Sequence, residues 1–144
     1  MSREIKFRAW DKKRNEMFPV HELEFNKTDS VLCNLKGYDD WDEDGWTVHG
    51  GGKMQYANEP RYELMQYTGL KDRNRCEVYE GDIVLCKHWQ SKFKVVFEAG
   101  MFRCRNIARG YEDQKVSLAT FFGEVGCTVI GNIYENPELL EGTA

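Results

Sequence analysis

From residue 62 onward the chain consists of short strand-like segments, and each ends at a turn signal. Ile83–Cys86, Phe93–Phe97 and Met101–Ile107 are four to seven residues long, and Glu80–Asp82 and Ala99–Gly100 supply turns between them. No part of the chain shows a long helical period. Short strands joined by Gly-containing turns predict a mainly β protein, a small β-barrel or sandwich with little helix.

The N-terminal part of the chain is less regular and suggests a second subdomain. Residues 38–52 form an acidic stretch that carries Trp41 and Trp46 and ends in three glycines, which predicts a loop with a flexible base. We therefore divide the chain into an N-terminal β subdomain with an acidic Trp-containing loop (1–60) and a C-terminal barrel-like subdomain (61–144). At 144 residues, the chain suits one domain or two small, intertwined β subdomains.

The net charge of −4 argues against a globally basic nucleic-acid-binding protein. Its distribution is uneven, because successive blocks carry +3 (1–20), −6 (21–66), +4 (67–110) and −5 (111–144). Blocks of opposite charge can pair within one molecule or between the subunits of an oligomer. Solvated faces that happen to cluster give the same pattern.

A basic stripe is the clearest candidate binding surface. Lys92 and Lys94 alternate along one predicted strand, Arg103 and Arg105 alternate along the next, and Trp89 lies at the edge. Residues two apart share one face of a sheet, so the four cations are expected on one surface. Such a surface suits single-stranded nucleic acid, a nucleotide or an acidic protein. Cations that only face solvent would alternate in the same way.

Asp40, Asp42 and Asp44 precede a glycine at alternate positions, as in the first half of a calcium-binding loop. The position that should supply a bidentate glutamate is Gly51, and neither flank is helical in pattern. A solvated acidic loop is therefore the competing interpretation. With His49 nearby, the same carboxylates would support a metal-assisted enzyme.

Other catalytic and membrane signals are missing from the sequence. The five cysteines (Cys33, Cys76, Cys86, Cys104 and Cys127) are widely spaced and include no C-x-x-C pair, which predicts reduced, buried thiols. Cys86 with His88 supplies two of the ligands that a metal site needs, and a core thiol beside an exposed imidazole is favoured. No phosphate-binding glycine motif or nucleophile elbow is present. No apolar run approaches the ~20 residues of a membrane span.

Three segments together resemble a known family. They are Ile5–Asp11, Leu64–Val84 and Val129–Leu140, and they resemble the YopX-like proteins of bacterial phages and prophages. The family usually has a glycine in the turn after Lys-Asp-x-Asn, where this chain has Arg75. We therefore expect that turn to differ.

The resemblance implies a β-rich phage protein that forms a homo-oligomer in the cytoplasm of the bacterial host. It implies no catalytic residues and no cofactor, and calcium at the acidic loop is the alternative. The sequence favours a non-enzymatic binding or regulatory protein that acts on a host or phage component, whether protein, nucleotide or nucleic acid. The alternatives are a metal-assisted enzyme that uses Asp40, Asp42 and Asp44, and a purely self-assembling structural protein.

Overall fold

The structure is a computed structural model, and the residues that it describes include most of the chain. They are 3–30, 32–42, 45–53, 55–56, 59–111, 113–122 and 126–141. For residues 33–34, and for those described between 38 and 60, it describes the backbone alone. No helix within these ranges is long and apolar enough to span a membrane.

The predicted mainly β class is confirmed: the sheets are antiparallel, and one of them is curled into a half-barrel. The strands are β1 Phe7–Asp11, β2 Glu16–Val20, β3 Glu22–Phe25, β4 Leu32–Asp42, β5 Gly45–Lys53, β6 Gln55–Tyr56, β7 Glu59–Pro60, β8 Tyr62–Lys71, β9 Glu77–Tyr79, β10 Asp82–Cys86, β11 Ser91–Glu98, β12 Met101–Asn106, β13 Lys115–Ser117 and β14 Cys127–Asn132. The helical pieces are α1 Leu118–Thr120 and a 3₁₀ helix at Pro137–Leu140.

The chain divides into two compact units, and the division falls inside β8. One unit is Lys6–Met65, and the other is Gln66–Ala144 together with Met1–Ile5. The first contains the strand orders β2-β1-β8 and β3-β4-β5, and in the second β9 pairs with the later part of β8. The second unit also holds a five-stranded sheet in the order β13-β12-β11-β10-β14.

The core of the first unit is small and aromatic. Ala9, Phe18, Leu35 and Tyr62 are buried together, and the rings of Phe18 and Tyr62 meet edge to face with centroids 5.8 Å apart. Edge-to-face contacts of this kind add about 0.5–1.5 kcal/mol beyond simple burial. The core therefore depends on a few large contacts.

A buried ion pair fixes the first turn of that unit. Asp11 is fully buried, and its Oδ1 and Oδ2 accept hydrogen bonds from Arg61 Nε and Nη2 at 3.0 and 2.9 Å. Oδ1 also accepts from the backbone N–H groups of Lys13 and Arg14. Burial raises the pKa of the Asp11 carboxyl, but the bonds from Arg61 and these backbone groups outweigh it, so the pKa is lowered. The carboxylate therefore stays charged and holds the turn.

The described residues of the stretch 38–52, which are 38–42 and 45–52, do not form the irregular loop that the sequence predicts. Its backbone belongs to the hairpin of β4 and β5, in which Trp41 pairs with Trp46 and Asp42 pairs with Gly45. The aromatic and β-branched residues of β5 favour extended backbone, which explains why the acidic composition does not prevent pairing.

The five-stranded sheet covers the main core on one face. The buried residues of this core are Val78, Val84, Cys86, Phe93, Val95, Cys104, Leu118, Phe121 and Cys127. Most come from alternate positions of β10, β11 and β12, as the period-two pattern of a half-buried strand requires. The positions between them lie on the opposite face of the sheet.

Asp72 connects the loop after β8 to the far end of the chain. Its Oδ1 accepts hydrogen bonds from the N–H groups of Asn74 and Cys76, and its Oδ2 accepts from Val129 in β14 at 2.9 Å. Arg73 N–H donates to the carbonyl of Cys127. The outer side of β14 is therefore covered by this loop.

The closing turn after β14 is held by side-chain amides in the same way. Asn132 Oδ1 accepts from the N–H groups of Tyr134 and Glu135, and Asn136 Oδ1 accepts from Asn132 N–H. Gly131 faces Asn136 so closely that a Cβ atom would lie 2.5 Å from Asn136 Oδ1. This turn therefore requires a glycine at 131.

Arg75 adopts the backbone conformation that a glycine would supply. Its φ is +65°, in the left-handed region, and its N–H donates to the carbonyl of Asp72 at 3.0 Å. A left-handed conformation costs a residue with a side chain roughly 1–2 kcal/mol. This chain thus keeps a left-handed turn at this position and carries the strain.

Arg75→Gly should raise the free energy of unfolding by roughly 0.5–1 kcal/mol, because relief of the left-handed strain exceeds the entropy that glycine adds to the unfolded chain. Urea denaturation measures the change. Arg75→Ala is the matched control, since it removes the same charge but keeps the Cβ atom, and it should give no gain. An equal gain for both variants would contradict backbone strain as the cause.

Candidate anion-binding face

The strand register aligns three cations across the second unit. Lys94 in β11 pairs directly with Arg105 in β12, and Arg105 pairs directly with Lys115 in β13. We call these three residues the cationic row. Like charges directly opposite each other destabilise a sheet, so the alignment has a cost unless anions balance it.

The other predicted cations lie on the same face as the row. Lys92 is two residues before Lys94, and Arg103 is two residues before Arg105, so the pleat puts all of them on one side. We call Lys92, Lys94, Arg103, Arg105 and Lys115 the cationic face. The intervening residues Phe93, Val95 and Cys104 are buried in the core on the other side. The structure thus brings together the four cations that the sequence analysis groups.

Glu98 is the carboxylate that partly balances this face. Its Oε2 accepts a hydrogen bond from Arg105 Nη2 at 2.7 Å, and its Oε1 lies 3.5 Å from Lys115 Nζ and 3.8 Å from Arg103 Nη1. The hydrogen bond from Arg105 is the main cause that lowers the pKa of the Glu98 carboxyl, and the charges of Arg105 and Lys115 contribute. One carboxylate therefore contacts three cations.

Lys92 and Lys94 have no such counter-charge. Both are half-buried, and neither has an ion pair within the described part of the chain. The face carries five cations and, among the described residues, one carboxylate, on a chain whose net charge is −4. Its local charge is thus opposite in sign to that of the protein.

Trp89 is not part of the cationic face. Its ring lies 5.9 Å from that of Phe93 and 5.7 Å from that of Phe121, both of which are buried in the core. Trp89 belongs to the turn before β11, so strand alternation does not decide its side of the sheet. These contacts do not support the predicted grouping of Trp89 with the basic stripe.

Two residues of this face, Lys115 and Glu98, were not predicted from the sequence. Lys115 lies in a strand of only three residues, and Glu98 lies at a hairpin end, where its paired residue is Met101, four positions before Arg105 in β12. A short strand gives no periodic pattern of its own. Lys115 and Ser117 alternate with Val116, which is the one sign of this strand in the sequence. That sign places Lys115 beside Arg105 only once the register with β12 is known.

The predicted calcium ligands Asp40, Asp42 and Asp44 lie where no side chain is described. Asp40 and Asp42 lie in β4, where the backbone alone is described, and Asp44 lies outside the described residues. Among the residues that are described, no group of three or more acidic, histidine or cysteine side chains is placed to hold a metal ion. Calcium at this stretch stays a prediction.

Two of the buried thiols, Cys104 and Cys127, have raised pKa values. Burial raises the pKa of Cys104 to about 12, with a further contribution from the neighbouring Cys86, and burial likewise raises the pKa of Cys127. A raised pKa favours the protonated form of these two thiols at neutral pH, and the thiol is a much weaker nucleophile than the thiolate. Cys86 is buried and His88 is exposed, as predicted, whereas Cys76 is exposed, and its Sγ donates a hydrogen bond to the carbonyl of Glu77 at 3.7 Å.

Comparison with known proteins gives a family and a structural relative. The model of the family described as YopX protein matches residues 6–141. The crystal structure of protein EF1440 from Enterococcus faecalis is similar, with a TM-score of 0.65 and 30% sequence identity over 97% of this chain and 100% of that one. No curated protein matches.

Glu98→Gln should lower stability at neutral pH, because Arg103, Arg105 and Lys115 lose their shared carboxylate. Since the folded-state pKa lies below the usual 4.5, the stabilisation by Glu98 is full above about pH 4.5 and is lost as pH falls through the lowered pKa. Urea denaturation of both proteins across this range should show a difference that shrinks in acid. Glu141→Gln is an exposed control with the same charge change, and an equal loss there would contradict the role of Glu98.

Proposed function

This chain belongs to the YopX family, and we propose that it is a non-catalytic binding protein that docks an acidic partner protein on its cationic face. The observation that carries the proposal is the cationic row, in which Lys94, Arg105 and Lys115 lie directly opposite one another. The three cations repel one another across the strands. An anionic partner bound to the row would reduce this repulsion and form favourable charge contacts with each cation.

The composition of the face favours protein over nucleic acid. Ile83, Leu85, Val96 and Met101 share the face with the cations; Ile83, which pairs with Lys94, is fully buried, whereas Met101 is 46% exposed. No aromatic side chain has been placed among these residues, and Trp89 packs on the core side. Single-stranded nucleic acids usually gain much of their binding energy by stacking on aromatic rings. Aliphatic groups between cations suit an acidic polypeptide with some apolar side chains.

The wider setting is also a proposal. We infer a phage or prophage protein that works in the cytoplasm of a bacterial host as a homo-oligomer. The family match and the similarity to a protein from Enterococcus faecalis support the bacterial setting. The alternating charge of successive blocks along the chain supports contacts between subunits.

Neutralising the cationic row should weaken binding of polyglutamate at least about tenfold, because each exposed charge contact contributes about 0.5–1 kcal/mol. The variant is Lys94→Gln, Arg105→Gln and Lys115→Gln, and fluorescence anisotropy at low and physiological salt measures the affinity. The matched control removes two lysines and one arginine elsewhere in the same unit, at Lys71, Lys87 and Arg109, and should lose less than about twofold.

Equal losses in the two triple variants would show that binding follows general charge, and the proposed face would be rejected. Tighter binding of oligothymidylate than of polyglutamate would overturn the choice of a protein partner. If the row variant unfolds, Lys92→Gln with Lys94→Gln serves instead, because neither lysine contacts Glu98 and binding should still weaken.

Native mass spectrometry of protein purified from bacteria without denaturation should show a defined homo-oligomer, because the charged blocks of neighbouring subunits complement each other. The measured mass gives the subunit number and reveals any retained metal or nucleic acid. A monomer at micromolar concentration would contradict the oligomer. Bound calcium would instead support the predicted metal site at Asp40, Asp42 and Asp44.

A further inference from the structure

We propose that the acidic partner is an extended segment that pairs antiparallel with the outer edge of β13, as an additional strand of the five-stranded sheet. The inference rests on the function proposed above and specifies how the partner is held. Addition of a strand to an open sheet edge is a general mode of peptide recognition, in which backbone hydrogen bonds supply affinity and alternate side chains supply specificity.

The two ends of this sheet differ in how their edges are covered. At β14, the loop after β8 occupies the edge, since Val129 N–H donates to Asp72 and the carbonyl of Cys127 accepts from Arg73. At β13, no strand within the described residues pairs with the outer side. An unpaired row of N–H and C=O groups is a template for another strand.

The register shows which backbone groups of β13 point outward. Asn106 N–H donates to the carbonyl of Gln114 at 3.0 Å, so residues 106 and 114 form a hydrogen-bonded pair. Such pairs alternate with non-hydrogen-bonded pairs along an antiparallel ladder, so Arg105 and Lys115 form a non-hydrogen-bonded pair. The N–H and C=O of Lys115 therefore point away from β12, towards the place of the added strand.

The charge of the face determines which side chains the added strand should carry. A strand that continues the pleat places the residue opposite Lys115 on the cationic face. An aspartate or glutamate there extends the row Lys94–Arg105–Lys115 with the opposite charge. Acidic residues at alternate positions of an extended segment are thus the expected sequence pattern of the partner.

The same geometry disfavours the other occupants. A second copy of β13 would place two cationic rows edge to edge, and its residues Lys115, Val116 and Ser117 include no acid. A nucleic-acid backbone has no alternating N–H and C=O groups that could pair with the edge. An acidic polypeptide segment fits both the hydrogen-bonding edge and the charge.

The test uses a synthetic peptide of alternating glutamate and threonine and two N-methylated forms of it. Methylation at the glutamates removes the N–H groups that would face Lys115, whereas methylation at the threonines modifies only the far side of the strand. The glutamate-methylated peptide should bind at least about tenfold more weakly than the parent, and the threonine-methylated peptide within about twofold, since each lost hydrogen bond contributes about 1 kcal/mol.

Hydrogen exchange gives a second readout in the intact protein. Saturating peptide should slow exchange of the Lys115 amide about tenfold, while the Val116 amide, which faces β12, should not change. Protection of Lys115 without peptide that rises with protein concentration would identify a second copy as the occupant. Equal protection by oligothymidylate would identify nucleic acid, and either result overturns the proposal.

The outcomes separate this inference from the proposed function. If both methylated peptides bind equally well, or if polyglutamate binds through the row and the alternating peptide does not, the added strand is rejected and the cationic face stands. If neither polyglutamate nor the parent peptide binds, the acidic-partner function is rejected as well.

Discussion

The second unit depends on the buried carboxylate of Asp72. It accepts three backbone hydrogen bonds, two from its own loop and one from Val129, which lies 57 residues further along the chain. Hydrogen bonds to a charged acceptor contribute about 1.5–3 kcal/mol each, so this group can fix a long-range contact that the local turn could not. It also covers the edge of β14. Within the described part of the chain, the sheet is therefore left with one unpaired edge, at β13, beside the cationic row.

The opposite faces of the five-stranded sheet serve different requirements. The core face is apolar, as expected of a face that stabilises the fold. The cationic face instead places Lys94, Arg105 and Lys115 in line, which weakens the sheet, and Glu98 offsets this for two of the three. Elsewhere in the described chain, the buried carboxylates of Asp11 and Asp72 have hydrogen-bond partners. An alignment of like charges that lowers stability at one surface is typical of a functional surface.

The sequence predicted the strands and the shared face of Lys92, Lys94, Arg103 and Arg105, because both follow from period-two alternation within one strand. It could not predict the row, since alignment between strands depends on the hairpin turn and on β13, which is too short to show a pattern. The predicted grouping of Trp89 with the basic stripe is unsupported for a related reason, because a residue in a turn follows no alternation. The hairpin of β4 and β5 was missed because its acidic composition outweighed its strand-forming residues.

The segments that identify the family hold the fold together. Thr68 donates its hydroxyl to the carbonyl of Val78, Asp72 covers an edge, and Asn132 and Asn136 build the closing turn. Each of these polar groups is already engaged by backbone, which leaves it little capacity to bind a partner. A signature of this kind reports architecture and carries no chemistry of its own. A binding site is therefore better sought on strand faces outside these three segments, and the proposed cationic face is one in which charge, register and an edge unpaired among the described residues coincide.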